Sequence, residues 1–161
     1  MWTYSLALTL EDLFFGKECR FRITRSYLSG IREIVVLDMH IPPGCEDGTR
    51  FVFTNVGHQR RDGSFQDIVF IVQEAAHDAF ARVGQDLVMK VRVPWSENLQ
   101  RKNGCIYFTG LDNATLSARI SYAREKRRHG QCKIKNGGMP ILQNGQVVAR
   151  GDLIVQYVHI R

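Results

Sequence analysis

Residues 2–24 of the chain decide the fold: Trp2-Thr-Tyr-Ser-Leu-Ala-Leu-Thr-Leu-Glu-Asp-Leu-Phe-Phe-Gly-Lys-Glu-Cys-Arg-Phe-Arg-Ile-Thr24. Apolar residues occupy the even positions from Trp2 to Leu10, which is the period of a half-buried β-strand. Thr9 and Asp12 then form a helix-capping pair, and Gly16 supplies a stop. The opening of the chain therefore predicts a strand followed by one or two helical turns.

Further alternating runs follow this opening. Residues Cys19 to Thr24 place apolar side chains on one face and mostly cationic ones on the other, which predicts a second strand. Val35 to Ile41 alternates again, and Phe51 to Phe53 follows a turn at Asp47–Gly48. Residues Asp67 to Gln73 are almost continuously apolar, as is typical of a strand covered on both faces. These spacings predict a β-meander.

The second half of the chain repeats this order at an offset of 85 residues. Asp67-Ile-Val-Phe-Ile-Val72 aligns with Asp152-Leu-Ile-Val-Gln-Tyr157. Asn55-Val-Gly-His58 also resembles Asn136-Gly-Gly-Met139, at an offset of 81. The repetition predicts a duplicated β-subdomain.

The composition suits an ordinary folded domain pair. The chain has 161 residues, of which 44% are hydrophobic and 24% are charged, so it can bury a core without disulfides. We expect an all-β fold with short helical turns, made of two similar consecutive β-sandwich-like subdomains over residues 1–83 and 84–161. A unit of this size buries only about 60% of its unfolded surface, so each is expected to lean on its neighbour.

Charge is unevenly distributed. Residues 1–84 hold 9 basic and 11 acidic side chains, whereas residues 85–161 hold 13 and 5. A basic surface attracts phosphate backbones, acidic peptides or anionic membranes, and charge alone does not separate them. Arg124-Glu-Lys-Arg-Arg-His129 is the densest basic run, and Tyr122 is the one aromatic residue close to it. A basic β-domain that binds RNA or single-stranded DNA is therefore the alternative reading, although the scarcity of aromatic residues argues against it.

No enzymatic motif is present in the sequence. It lacks a P-loop, a Gly-x-Ser-x-Gly elbow, a His-Glu-x-x-His pair and a Gly-x-Gly-x-x-Gly loop, so catalysis is not expected and a hydrolase ranks last. The four cysteines, at 19, 45, 105 and 132, are far apart, as are the five histidines, and we expect neither a metal site nor a cofactor. The apolar runs are too short to cross a bilayer, and lone thiols suit a reducing compartment. We expect a cytoplasmic protein, with the nucleus also open, and no membrane partner.

A set of motifs occurs along the chain in the same order as in a known family. The chain resembles the C-terminal peptide-binding region of DnaJ-type co-chaperones, the heat shock protein 40 family, over nearly its whole length. The motifs that carry the resemblance are Leu8-Thr-Leu-Glu-Asp-Leu-Phe-Phe-Gly-Lys17, Phe21-Arg-Ile23, Ile41-Pro-Pro-Gly44, Asp47-Gly-Thr49, Asp67-Ile-Val-Phe70, His77 to Phe80, Gly84-Gln-Asp-Leu87, Gly137-Gly-Met-Pro140 and Gly151-Asp-Leu-Ile-Val155.

Departures from the family pattern refine this resemblance. The J-domain with its His-Pro-Asp loop and the Gly/Phe-rich segment are absent, so the chain alone is not expected to stimulate an ATPase chaperone. No Cys-rich zinc module interrupts the first half, which indicates the zinc-free, type II layout. Residues 95–128 stray from the pattern, and the chain stops where relatives continue into a dimerising helix. Whether it is a fragment, and whether it forms a homodimer, stay open.

The resemblance implies a binding function without covalent chemistry. In the family, a groove on the first subdomain takes extended segments of non-native client polypeptides by strand addition, and the acidic C-terminal tail of a heat shock protein 70 chaperone docks on the same subdomain. The matching groove positions are Leu8, Leu10, Phe21, Ile23 and Phe70. The matching cationic positions for the tail are Lys17, Arg20, Arg22 and Arg25.

Overall fold

The computed structural model describes residues 1–94, 103–121 and 129–160. They divide into two compact units, Met1–Ala75 and Ala76–Arg161. Strands make up most of the described chain, and its one helix has six residues. The all-β prediction is confirmed.

The first unit contains five strands and the helix. Their bounds are β1 Trp2–Leu8, α1 Leu10–Phe15, β2 Lys17–Ser26, β3 Arg32–Ile41, β4 Arg50–Phe53 and β5 Ile68–Glu74. Strand β5 lies at the centre of a three-stranded sheet, with β1 parallel to it on one side and β4 antiparallel on the other. Strands β2 and β3 form a separate antiparallel hairpin in which Phe21 lies opposite Leu37.

The second unit contains eight strands in the described residues. Their bounds are β6 Phe80–Val83, β7 Asp86–Pro94, β8 Asn103–Thr109, β9 Thr115–Ser121, β10 His129–Ile134, β11 Pro140–Gln143, β12 Gln146–Arg150 and β13 Leu153–Ile160. One sheet has the order β10-β13-β7-β6, while β8–β9 and β11–β12 are antiparallel hairpins. Strand β6 pairs with β7, and residue 84, where the second subdomain was predicted to begin, lies in the turn between them. The subdomain ranges 1–83 and 84–161 stay a prediction.

Strand order repeats between the two units. As β5 pairs in parallel with β1 and antiparallel with β4, so β13 pairs in parallel with β7 and antiparallel with β10. The registers correspond as well, because Trp2 lies opposite Ile68 and Leu87 lies opposite Leu153. Trp2 and Leu87 are 85 positions apart, as are Ile68 and Leu153, and this is the offset found in the sequence.

A second correspondence lies at the turn before the central strand of each unit. Asn55 and Asn136 both adopt left-handed backbone, at φ 60° and 63°. The Asn55 N–H donates to Asp67 Oδ1 at 3.0 Å, and the Asn136 N–H donates to Asp152 Oδ1 at 3.1 Å. The Asn136 amide and the Lys133 ammonium hold the pKa of Asp152 below its usual range. The same contact therefore ties the turn after β4 to the start of β5, and the turn after β10 to the start of β13.

Helix α1 is fixed by its own sequence. The Thr9 hydroxyl accepts from the Asp12 N–H, and the Asp12 carboxylate accepts from the Thr9 N–H, both at 3.1 Å. Leu10 and Leu13 are fully buried, and each side chain contributes about 1.5 to 3 kcal/mol of hydrophobic stabilisation. Gly16 ends the helix at φ +80°, where an added Cβ would lie 2.8 Å from the Ile41 carbonyl oxygen. Only glycine fits that position without strain.

Some sequence predictions fall outside the described residues. The divergent segment 95–128 is described only at 103–121, and the basic run is described only at the backbone of His129. The helix in the described residues is too short to cross a membrane. Within the same residues no cluster of three or more His, Cys, Asp or Glu side chains has the arrangement of a metal site. All four cysteines are free thiols.

Candidate functional site

A groove of 410 Å³ lies between β1 and β2 in the first unit. We call it the β1–β2 groove. Its β1 wall consists of Trp2, Tyr4, Ser5 and Leu6, its β2 wall consists of residues 21–24, and Phe70 of β5 contributes the remaining ring. Most of this lining is apolar, and its apolar members are even residues of β1, odd residues of β2, and Phe70.

Aromatic rings follow one another along the groove. Phe21 stacks on Phe70 with ring centres 4.8 Å apart, and Phe70 stacks on Tyr4 at 5.6 Å. Tyr4 contacts Trp2 at 5.4 Å, and Trp2 stacks on the imidazole of His58 at 4.6 Å. Aromatic pairs at such distances are worth about 0.5 to 1.5 kcal/mol each beyond their buried area. The row gives the groove a continuous aromatic surface.

Both strands that border the groove have an unpaired edge among the described residues. Strand β1 pairs only with β5, and β2 pairs only with β3. The Tyr27 N–H donates to the Ile31 carbonyl at 2.8 Å, so the odd positions of β2 direct their main chain toward β3. The even positions Arg20, Arg22 and Thr24 therefore direct N–H and C=O away from β3. An extended chain laid along β2 would find these main-chain groups ready to pair.

Arg22 is the cation of the groove. Its side chain is exposed and belongs to the lining. Among the described residues no carboxylate lies within ion-pair distance of it. An anionic group on a ligand would therefore meet an uncompensated guanidinium, which favours paired contacts to a carboxylate.

The other three predicted cations are held by the protein's own carboxylates. Arg20 Nε lies 2.7 Å from Asp38 Oδ1, directly across the hairpin, and this pairing raises the pKa of Arg20. Lys17 Nζ lies 3.7 Å from Asp12 Oδ2. None of the three lines the groove.

Arg25 is the most enclosed of the four. It bonds Glu33 at 2.9 Å and lies over the Phe65 ring, 4.4 Å from its centre. Its Nη1 donates to the Asn55 carbonyl at 3.1 Å, so the side chain joins the β2–β3 hairpin to the turn that follows β4. Hydrogen bonds from Tyr27 and Arg25 hold the pKa of Glu33 below its usual range.

The predicted apolar residues divide into two groups. Phe21, Ile23 and Phe70 line the groove, with Phe21 half-buried and the other two buried. Leu8 and Leu10 are each 1% exposed and do not line it. They lie where β1 gives way to α1, so their side chains pack into the core of the unit instead.

Sequence reasoning missed part of the lining. Trp2, Tyr4 and Leu6 stand on the same face of β1 as the predicted Leu8, and that alternation was the available signal. Ser5 and Thr24 also line the groove, but nothing in their sequence context distinguishes them from other strand residues.

Relatives of the chain are found among curated proteins. The protein SIS1 of Saccharomyces cerevisiae is 30% identical over 154 residues, which cover 95% of this chain and 42% of that protein. Psi1 of Schizosaccharomyces pombe is 35% identical over 158 residues, covering 96% of this chain and 40% of that protein. DnaJ homolog subfamily B member 13 of Homo sapiens is 35% identical over 156 residues, covering 93% and 47%. The chain spans less than half the length of these three relatives.

A family model agrees with these relatives. The model described as the DnaJ C terminal domain matches residues 2–160. That match takes in both units, including the two strands that border the groove. Because it extends across nearly the whole chain, the resemblance noted in the sequence is confirmed, and the chain belongs to the DnaJ C-terminal domain family.

Proposed function

We propose that the chain binds extended apolar segments of non-native polypeptides in the β1–β2 groove, as the client-binding part of a DnaJ-like co-chaperone. The observation that carries the proposal is the unpaired edge of β2 beside a row of aromatic rings, in a chain of this family. No covalent step is involved. A location in the cytosol or nucleus goes with this function.

Strand addition accounts for the breadth of such binding. Main-chain hydrogen bonds to β2 would hold a segment of any sequence, while the rings take every second side chain. Each apolar side chain buried contributes about 1.5 to 3 kcal/mol, and ordering a flexible segment offsets much of this gain. The expected result is weak and reversible capture, which suits a protein that must release its clients.

A second ligand is part of the proposal. The acidic C-terminal tail of a heat shock protein 70 chaperone would dock in the same groove, where Arg22 supplies an unpaired guanidinium. Since both ligands would use the edge of β2, the tail would displace the client and hand it on. Independent, simultaneous binding of the two ligands would overturn this handover.

Fluorescence anisotropy with a labelled apolar peptide and a labelled acidic tail peptide tests the proposal. Phe21→Ala removes one ring of the stack, and we expect the affinity for the apolar peptide to fall by about tenfold or more, since 1.4 kcal/mol corresponds to a factor of ten. Arg22→Ala should weaken mainly the acidic peptide. Arg50→Ala is the matched control, because Arg50 is equally exposed, on β4, and does not line the groove.

Circular dichroism checks that every variant is folded, so that a lost anisotropy signal reflects lost binding. If neither peptide binds the folded wild type, while an oligonucleotide binds in a strongly salt-dependent way, the proposal fails and the basic second half becomes the site. No contact among the described residues favours that alternative.

A further inference from the structure

We infer that His58 and Gln59 form a built-in end stop for the β1–β2 groove, so that a bound peptide pairs with the outward-facing positions of β2 from Glu18 to Thr24 and extends no further past Thr24. The stop sets how far a bound segment can extend at this end of the strand. This inference rests on the proposed peptide binding.

Three hydrogen bonds place the stop on the open edge of β2 and the turn that follows it. The Gln59 N–H donates to the Ser26 carbonyl at 2.9 Å, and the Ser26 N–H donates to His58 Nδ1 at 2.9 Å. The Leu28 N–H donates to Gln59 Oε1, also at 2.9 Å. Ser26 is the next outward-facing position after Thr24, so His58 and Gln59 already occupy the main-chain groups that a longer peptide would need.

Further contacts hold His58 and Gln59 in place. The Gln66 N–H donates to the His58 carbonyl at 3.0 Å, and Gln59 forms a bridge with Phe65. Gln59 Nε2 donates to the Gly63 carbonyl at 3.1 Å. A peptide that displaced His58 and Gln59 would break these contacts without a replacement, which makes displacement unfavourable.

The stop is also continuous with the groove wall. The His58 imidazole stacks on Trp2, which is itself a lining residue. A side chain of the ligand that reached past Thr24 would therefore meet this pair of rings instead of open solvent.

The length of the readable segment follows from strand geometry. The outward-facing positions of β2 before Ser26 are Glu18, Arg20, Arg22 and Thr24. Because β2 begins at Lys17 and each residue advances a strand by about 3.3 Å, the open edge from Glu18 to Thr24 spans about 20 Å, which about seven ligand residues cover. We infer that the site selects short extended segments of about seven residues with alternate apolar side chains.

A peptide length series tests the stop. For alternating apolar peptides of increasing length, anisotropy with the full chain should show affinity rising up to about seven residues and then levelling off. In the double variant His58→Ala, Gln59→Pro, which removes the imidazole acceptor and the Gln59 N–H, affinity should go on rising by about twofold or more for each further pair of residues. His40→Ala is the matched control, since His40 is an exposed histidine on β3, and it should keep the wild-type plateau. A plateau that is absent in the wild type, or unchanged in the folded double variant, would overturn the inference.

Amide hydrogen exchange gives a second readout that does not depend on variants. In the free protein, the Ser26 and Leu28 amides should exchange slowly, and those of Arg20, Arg22 and Thr24 quickly. Peptide should slow the latter three and leave Ser26 and Leu28 unchanged. Fast exchange at Ser26 in the free protein excludes the stop, whereas failure of every peptide to bind counts against the proposed function. The two failures are therefore distinguishable.

Discussion

At the scale of single residues, the availability of a charge depends on what lies across the hairpin. Four cations stand on β2, yet Asp38 holds Arg20, Glu33 holds Arg25 and Asp12 holds Lys17. The family resemblance implied all four as ligands for an acidic tail, since their positions match the motif, whereas their partners across the hairpin are not visible in the sequence. The cross-strand register decides which cation remains, and only Arg22 combines a place in the groove with a free guanidinium in the described residues.

Releasing one of the held cations should strengthen tail binding. In Asp38→Asn, Arg20 loses its partner, and we expect the affinity for the acidic peptide to rise by about two- to fivefold, because an exposed ion pair is weak and its loss frees one guanidinium. The affinity for the apolar peptide should not change. Anisotropy at low salt measures both affinities. Asp78→Asn controls for the altered net charge, and an equal gain there would show that Arg20 plays no part.

At the scale of elements, local patterns could be predicted from the sequence and the limits of the groove could not. The capping box at Thr9 and the turns between strands depend on neighbouring residues, so their sequence signals are complete. The end of the groove depends on His58 folding back onto Ser26, a contact between residues 32 positions apart. The family resemblance likewise placed Leu8 in the groove, but the burial of that residue depends on the turn into α1.

The left-handed turns before β5 and β13 give a prediction for these elements. Asn136 adopts φ 63°, a region that asparagine and glycine tolerate and that β-branched residues avoid. Asn136→Val should lower the free energy of unfolding by about 1 to 2 kcal/mol. Asn136→Gly should change it little, because the Asp152 carboxylate bonds the main-chain N–H and not the side chain. Urea denaturation measures both, and equal losses would contradict the role of backbone conformation.

At the scale of the whole molecule, a repeated strand order carries two different surfaces. Trp2 and His58 stack beside the groove in the first unit. The aligned residues of the second unit are Leu87 and Met139, which are 1% and 0% exposed. One copy of the repeat thus has stacked rings beside a groove where the other has buried apolar side chains. The sequence predicted the repeat from motifs that recur at an offset of 85 residues, and the structure shows that the aligned positions differ in burial as well as in residue type.

The net charge of the whole chain gives a prediction about salt. With a net charge of +6, non-specific attraction of anions is expected, yet a groove lined mainly by apolar side chains should bind apolar peptides independently of ionic strength. Between 50 and 200 mM salt, we expect the apolar affinity to change by less than about twofold. Binding that depends on six to ten phosphate contacts would fall by about a thousandfold or more over that range. Anisotropy across a salt series separates the two, and a steep slope for the apolar peptide would contradict capture by the rings.

An open strand edge is also a danger to the protein that carries it. Unpaired main-chain groups beside apolar rings form a template on which a second molecule of the same protein can pair, which is how many β-proteins begin to aggregate. In a symmetric antiparallel pairing centred on Arg22, the two guanidiniums would meet, and like charges opposite each other are destabilising. Arg22 would therefore discourage self-association at the edge of β2, which the proposed function requires to stay vacant for other chains.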